Sequence, residues 1–192
     1  LYKRATLALH RFILPEDFFN HLIDDEVSVL ALMPVNISQM FDEGSQRVPS
    51  PELFDKLRII TSSGGNVTER MISDCQSAFQ QASFYSMHGL TEAFRSTYLD
   101  PAQVQIRPDS IGKPIPDVEL YVLNEEGKEC APREVGELIH RGGYIYRGFW
   151  NGPEENKQRF KSIEILKDVI DLEGQLTDET VVATGDYVYT DE

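Results

Sequence analysis

The run Phe84-Tyr85-Ser86-Met87-His88-Gly89-Leu90-Thr91-Glu92-Ala93 gathers side chains that could handle a phosphorylated ligand. An aromatic ring can stack on a base, glycine lets a backbone come close, threonine can donate to a phosphate oxygen, and a carboxylate can hold magnesium through oxygen. By residue type alone the run serves equally well as a structural loop. A second candidate is Ser62-Ser63-Gly64-Gly65, whose amides could approach a ligand because glycine has no side chain. No Gly-Lys-Ser/Thr follows it and the next basic residue is Arg70, so it is not a phosphate loop. A tight turn between strand and helix is its simpler reading.

Positioning these residues requires strands and helices on either side of them. Pro15-Glu16-Asp17 is a good helix start, with Phe18, Phe19, Leu22 and Ile23 as the apolar stripe. Residues 27–32 suit a buried strand ended by Pro34, and 57–62 a second one. Asn66, with Glu69 three residues on, reads as an N-cap, after which Met71, Ile72, Cys75, Ala78 and Phe79 recur at helical spacing. From about residue 111 the pattern turns β-rich: 118–123 alternates, 124–127 makes a turn, 137–140 is a strand, a short helix opens at Gly152-Pro153, and 181–183 begins the last strand. The fold class is therefore α/β, with an αβ layered subdomain at 1–110 and a β-rich subdomain at 111–192.

Composition narrows the partners. With 41% apolar and 26% charged residues the chain has the balance of a folded globular protein. The apolar stretch 27–35 is far shorter than the roughly 20 residues of a membrane-spanning helix, so no segment is expected to span a bilayer. A net charge of −14 without any long Lys/Arg cluster argues against nucleic acid. Two cysteines, Cys75 and Cys130, and four scattered histidines make neither a disulfide framework nor a zinc signature, and a reducing cytoplasm fits best. Leu1 in place of methionine, and an end at Asp191-Glu192, read as cuts through a larger protein.

Gly89-Leu90-Thr91-Glu92 resembles the Tyr-Gly-x-Thr-Glu signature of the adenylate-forming enzymes: acyl-CoA synthetases, luciferases and peptide-synthetase adenylation domains. Further segments agree in the family's order. Gly64-Gly65-Asn66-Val67 resembles its Gly-Gly-Ala-Pro-Leu turn, and Ile111-Gly112-Lys113-Pro114 its Gly-Lys-Pro. Gly136-Glu137-Leu138, running on to Arg147-Gly148-Phe149-Trp150-Asn151, resembles its Gly-Glu-Leu strand and Gly-Tyr-Trp-Asn end; Thr184-Gly185-Asp186 matches its Thr-Gly-Asp. The wording favours the acyl-CoA ligase branch.

The resemblance implies part of the family's large N-terminal domain, whose β-rich portion is a distorted barrel. It implies activation of a carboxylic acid by ATP with Mg2+, and then transfer to coenzyme A. An alternative acceptor is a carrier protein, and a non-catalytic nucleotide-binding module is a reading from another class. Glu92 would bind the magnesium, Thr91 the phosphate, and Asp186 both ribose hydroxyls, while Gly64, Gly65, Asn66, Ser86, Met87, His88 and Gly89 would line the adenine and acyl sites. His88 stands where the family usually has a tyrosine stacked on adenine, and Ser86 where some relatives carry an asparagine. An imidazole offers less area to stack and can ionise near neutral pH. The Gly-Glu-Leu strand, the Arg147 turn and Tyr144, Tyr146, Tyr187 and Tyr189 read as packing residues, with Glu137 left open as an exception. The acid and the oligomeric state are not legible.

The family's Thr-Ser-Gly-rich phosphate loop, its hinge and its catalytic lysine are not among these residues. The isolated chain is therefore expected to fold but to form no acyl-adenylate. Pyrophosphate–ATP exchange measured on it with a panel of carboxylic acids should stay at background, and exchange above background would refute this.

Overall fold

Pro15 opens α1 (Pro15–Asp24) in the computed structural model, which describes residues 5–10, 15–41, 48–174 and 178–191. Proline has no amide hydrogen to lose at a first helical position and its φ is already helical. β1 (Val29–Leu32), α2 (Pro34–Phe41), β2 (Ile59–Ser62), α3 (Glu69–Ala78) and β3 (Ser83–His88) follow. β1 pairs with β2 and β2 with β3, both parallel. Parallel neighbours need a crossover, and α2 and α3 lie in the two crossovers. These elements, up to Met87 in β3, belong to a first compact unit, Leu1–Met87 with Leu99–Gly112.

Its core is aromatic at the centre. Phe79 is 1% exposed and meets Phe54 edge-on at 5.0 Å between ring centroids, with Phe19 and Phe41 at 6.4 and 6.3 Å. Ile37, Met40, Ile60, Ile72, Cys75 and Phe84 are buried around them. Cys75 takes the core position expected of it; burial, then the charge of Asp74, pushes its thiol up to about 12.

Two local expectations change. β1 is covered on one face only: Leu30 and Leu32 are buried while Val29 is exposed. The N-cap of α3 is Thr68 rather than Asn66, its Oγ1 accepting the Met71 amide at 3.3 Å. Glu69 is itself the first helical residue, so a cap must sit at 68, and Asn66 is left outside the helix.

The second unit, His88–Tyr98 with Lys113–Glu192, is antiparallel. β4 (Thr97–Tyr98) pairs with β5 (Lys113–Pro114). β6 (Val118–Leu123), β7 (Gly136–Gly142), β8 (Phe160–Ser162) and β9 (Thr180–Val188) form a sheet in the order β6-β7-β9-β8, with α4 (Pro153–Arg159) leading into β8. The β6–β7 link turns where Asn124 Oδ1 accepts the Glu126 and Lys128 amides at 3.0 and 3.1 Å, a side chain closing the turn as expected for asparagine. Ile139, Ile163, Leu166, Val181 and Ala183 make the core. Arg141 forks between Glu179, at 2.8 and 2.9 Å, and Glu119, at 2.8 Å, so its charge is spent on the sheet. Tyr144, Tyr146, Tyr187 and Tyr189 are exposed, not packed as expected: Tyr144, Tyr146 and Tyr189 lie outside the strands, and Tyr187, although paired with Glu137, stands beyond the bulge from the buried stretch 181–184. Among the described residues no helix is long and apolar enough to cross a membrane.

Replacing Phe79 by Ala removes the ring at the centre of the first core and should cost about 3–5 kcal/mol. Urea unfolding followed by circular dichroism checks this; a loss below about 1 kcal/mol would mean that Phe54 and Phe41 close the gap.

Candidate functional site

Glu137 of β7 pairs with Tyr187 of β9, but Ile139, two residues on, pairs with Ala183, four residues back. Thr184, Gly185 and Asp186 thus stand opposite Leu138 alone, two residues more than an even ladder takes, and they leave it as a bulge. Their backbone is satisfied by side chains. Thr184 Oγ1 donates to the Leu138 carbonyl at 2.8 Å and accepts the Asp186 amide at 3.1 Å. Glu137 Oε1 accepts the Gly185 amide at 2.9 Å. Gly185 has φ +74°, and a Cβ there would overlap Arg159 Nη1. The bulge therefore needs threonine for its two-way hydroxyl and glycine for its conformation and space. Asp186 emerges exposed.

The segment at 88–98 is folded back on itself. The Ser96 amide donates to the His88 carbonyl at 2.9 Å, and a Cβ on Gly89 would lie 2.7 Å from the Arg95 nitrogen. Only glycine fits such an approach. Leu90 donates to the Ala93 carbonyl at 3.3 Å, and the segment is fastened to the chain beyond β7 by Phe94 to Tyr144 at 3.2 Å and Tyr146 to Glu92 at 2.9 Å. Thr91 is left exposed, and the side chain of Glu92 is 12% exposed.

Two contacts tie these segments together. Arg159, the last residue of α4, places Nε 3.8 Å from Glu92 Oε1, while its Nη1 donates to the carbonyl of Thr184 and lies 3.4 Å from that of Ala183. His88 Nε2 lies 3.0 Å from Asp186 Oδ2. Glu92 and Asp186 are thus served by neighbouring cations or donors within one compact unit.

The family profile described as "AMP-binding enzyme" matches residues 1–150. The chain belongs to the AMP-binding enzyme family. It is 26% identical over 149 residues to 2-succinylbenzoate–CoA ligase of Geobacillus kaustophilus (strain HTA426), covering 77% of this chain and 29% of that protein. It is 24% identical over 193 residues to tyrocidine synthase 1 of Brevibacillus parabrevis, covering 96% of this chain and 16% of that protein. The crystal structure of a long-chain-fatty-acid-CoA ligase from Archaeoglobus fulgidus shares the fold, with a TM-score of 0.73 at 19% identity over 92% of this chain and 34% of that one. The chain therefore spans about a third or less of these relatives.

In this AMP-binding enzyme the residues singled out by the sequence divide between the units. His88, Gly89, Thr91, Glu92 and Asp186 lie in the second, and Gly64, Gly65, Asn66, Ser86 and Met87 in the first. Gly64 has φ +87°, and Gly64 to Asn66 are exposed. Sequence reasoning missed Arg159, since a basic residue ending a short helix is explained by the helix dipole alone. It left Glu137 open, and the hydrogen bond that its carboxylate accepts from the Gly185 amide supplies the answer: the carboxylate holds the bulge.

His140, on β7, is fully buried, with Nδ1 2.9 Å from Ser96 Oγ and no partner at Nε2 among the described residues. Burial, and then the charge of His88, lower it from 6.5 to about 4. An unfolded chain takes up this proton below about pH 6.5, whereas the folded chain refuses it until about pH 4. The contribution of His140 is thus complete above pH 6.5 and drains away as pH falls towards 4. Denaturation midpoints recorded between pH 7.5 and 4.5 should fall more steeply for the wild type than for His140→Leu, and parallel slopes would contradict the assignment.

Proposed function

We propose that this chain is the nucleotide-holding part of an AMP-forming acid–thiol ligase. The observation that carries the reading is Arg159, which reaches both the Glu92 carboxylate and the carbonyl of Thr184, two residues before Asp186. One guanidinium thereby lies against both segments whose carboxylates the reading assigns to a single nucleotide. Asp186, exposed on its bulge, accepts from the ribose hydroxyls, a role for a group that only accepts. Thr91, exposed beside it in sequence to Glu92, donates to phosphate. By resemblance, Gly64, Gly65, Asn66, Ser86, Met87 and Gly89 are proposed for the adenine and acyl sides.

In the reaction, a carboxylate oxygen of the acid attacks the α-phosphorus of ATP, the bond to the bridging oxygen breaks, and pyrophosphate leaves. The thiol sulfur then attacks the acyl carbon, AMP leaves with the electron pair, and the thiol proton passes to solvent. Among the described residues no group of three or more His, Cys, Asp or Glu could hold a metal ion. The donor set is one partly buried carboxylate, which fits magnesium that keeps waters and takes its other ligands from nucleotide phosphates. When bound, Mg2+ would offset the charge that builds on the phosphates.

Coenzyme A is the proposed acceptor, as its name states for the 2-succinylbenzoate relative. A carrier-protein thiol is the second reading, favoured by the match to tyrocidine synthase 1 along 96% of this chain. The two cysteines, both buried and unbridged, support a reducing, cytoplasmic setting.

An intact protein carrying this chain should catalyse acid-dependent pyrophosphate–ATP exchange. Glu92→Gln is expected to lower kcat by about 100-fold. Asp186→Asn should chiefly raise KM for ATP, by about 10- to 100-fold. Exchange that survives both substitutions unchanged would sink the reading, and loading of a carrier protein with no turnover of coenzyme A would replace the acceptor.

A further inference from the structure

We infer that His88 is a positioning residue for the ribose carboxylate, a donor whose ring nitrogen orients Asp186. The inference rests on the ribose reading of Asp186 given above. Its side chain is 21% exposed against 51% for Asp186, and Nε2 lies 3.0 Å from Oδ2. The histidine is therefore the anchored member of the pair and the aspartate the free one. The anchor is local: the His88 carbonyl accepts the Ser96 amide at 2.9 Å, and Gly89, the next residue, is pressed against the Arg95 backbone.

The proton distribution follows from the partners. His88 Nδ1 is buried with no hydrogen-bond partner among the described residues. A bare acceptor there costs less than a stranded N–H, and Nε2 faces a carboxylate, so the proton sits on Nε2. His140 Nε2 is likewise without a partner among the described residues, and His140 is held neutral chiefly by its burial. Asp186 Oδ2 and His140 are the titratable groups that bear on the ring, from β9 and β7.

A carboxylate has about four acceptor sites, so one bond from His88 leaves enough for two ribose hydroxyls. What the histidine contributes is orientation. Asp186 stands on a bulge and half in solvent, free to rotate about its side-chain torsions, and ordering it on ligand binding costs entropy. A fixed donor on Oδ2 removes part of that cost and turns Oδ1 to the sugar. A phenylalanine ring at 88 would stack as well but has no donor edge, and an asparagine amide is too short to reach Oδ2.

The test is titration calorimetry of the intact protein with ATP and with 2′-deoxy-ATP. The wild type should prefer ATP by about 10-fold or more, since a charged acceptor that loses one hydroxyl forfeits about 1.5–3 kcal/mol. His88→Phe should weaken ATP about 10-fold and shrink the preference to about 2- to 3-fold. His88→Gln, whose amide can still reach the carboxylate, should restore the preference between the sugars. If the Phe variant fails to fold by circular dichroism, His88→Asn takes its place. A variant without the donor that keeps the wild-type preference overturns the inference, and so does a Gln variant that discriminates the sugars no better than Phe. A wild type that binds ATP without discriminating the sugars removes Asp186 as the ribose ligand while leaving ATP binding intact. No ATP binding at all would remove the proposed function itself.

Discussion

Two steps along β7 face four along β9, and the surplus at Thr184-Gly185-Asp186 has to leave the ladder. A buried sheet tolerates such a break only if the freed amides and carbonyls find partners, because an unpaired backbone group costs as much as a lost hydrogen bond. Here the partners are side chains: Glu137 for the Gly185 amide, Thr184 for the Asp186 amide and the Leu138 carbonyl, and Arg159 for the Thr184 carbonyl. Each of these residues is held by an element of the second unit, so the bulge is a product of the whole sheet. Asp186 becomes available to a ligand because the sheet pushes it out.

Arg159 also explains why the bulge and the Gly-Leu-Thr-Glu segment are linked. Its guanidinium fills the space a Cβ on Gly185 would need, and the same group approaches Glu92. Gly89 is required because the backbone of Arg95 occupies the volume of a side chain, whereas at Gly185 the positive φ makes the stronger demand, since the guanidinium ends a flexible side chain.

Charge is arranged locally against the background. A chain carrying −14 repels a polyphosphate at long range, so the proposed function requires recognition by close contacts. The two carboxylates of the candidate site are assigned to hydroxyls and to a cation, neither of which a negative charge repels. Arg141, by contrast, is tied to Glu119 and Glu179 in the second sheet.

The sequence alone determined the family, the α/β class, the order of the main elements and the identity of Thr91, Glu92 and Asp186 as candidates, because short motifs and hydrophobic periods are local properties of the chain. It also placed Cys75 in the core, since helical spacing puts Met71, Ile72 and Cys75 on one face. The cap at Thr68, the half-covered β1 and the exposed Tyr187 went another way, for burial and capping depend on what lies opposite. Only the tertiary structure decided that Glu137 and Arg159 hold the bulge, and that His88, 98 residues before Asp186, meets its carboxylate. Contacts across such separations are set by strand register and by the route of α4, and neither leaves a mark in residue spacing.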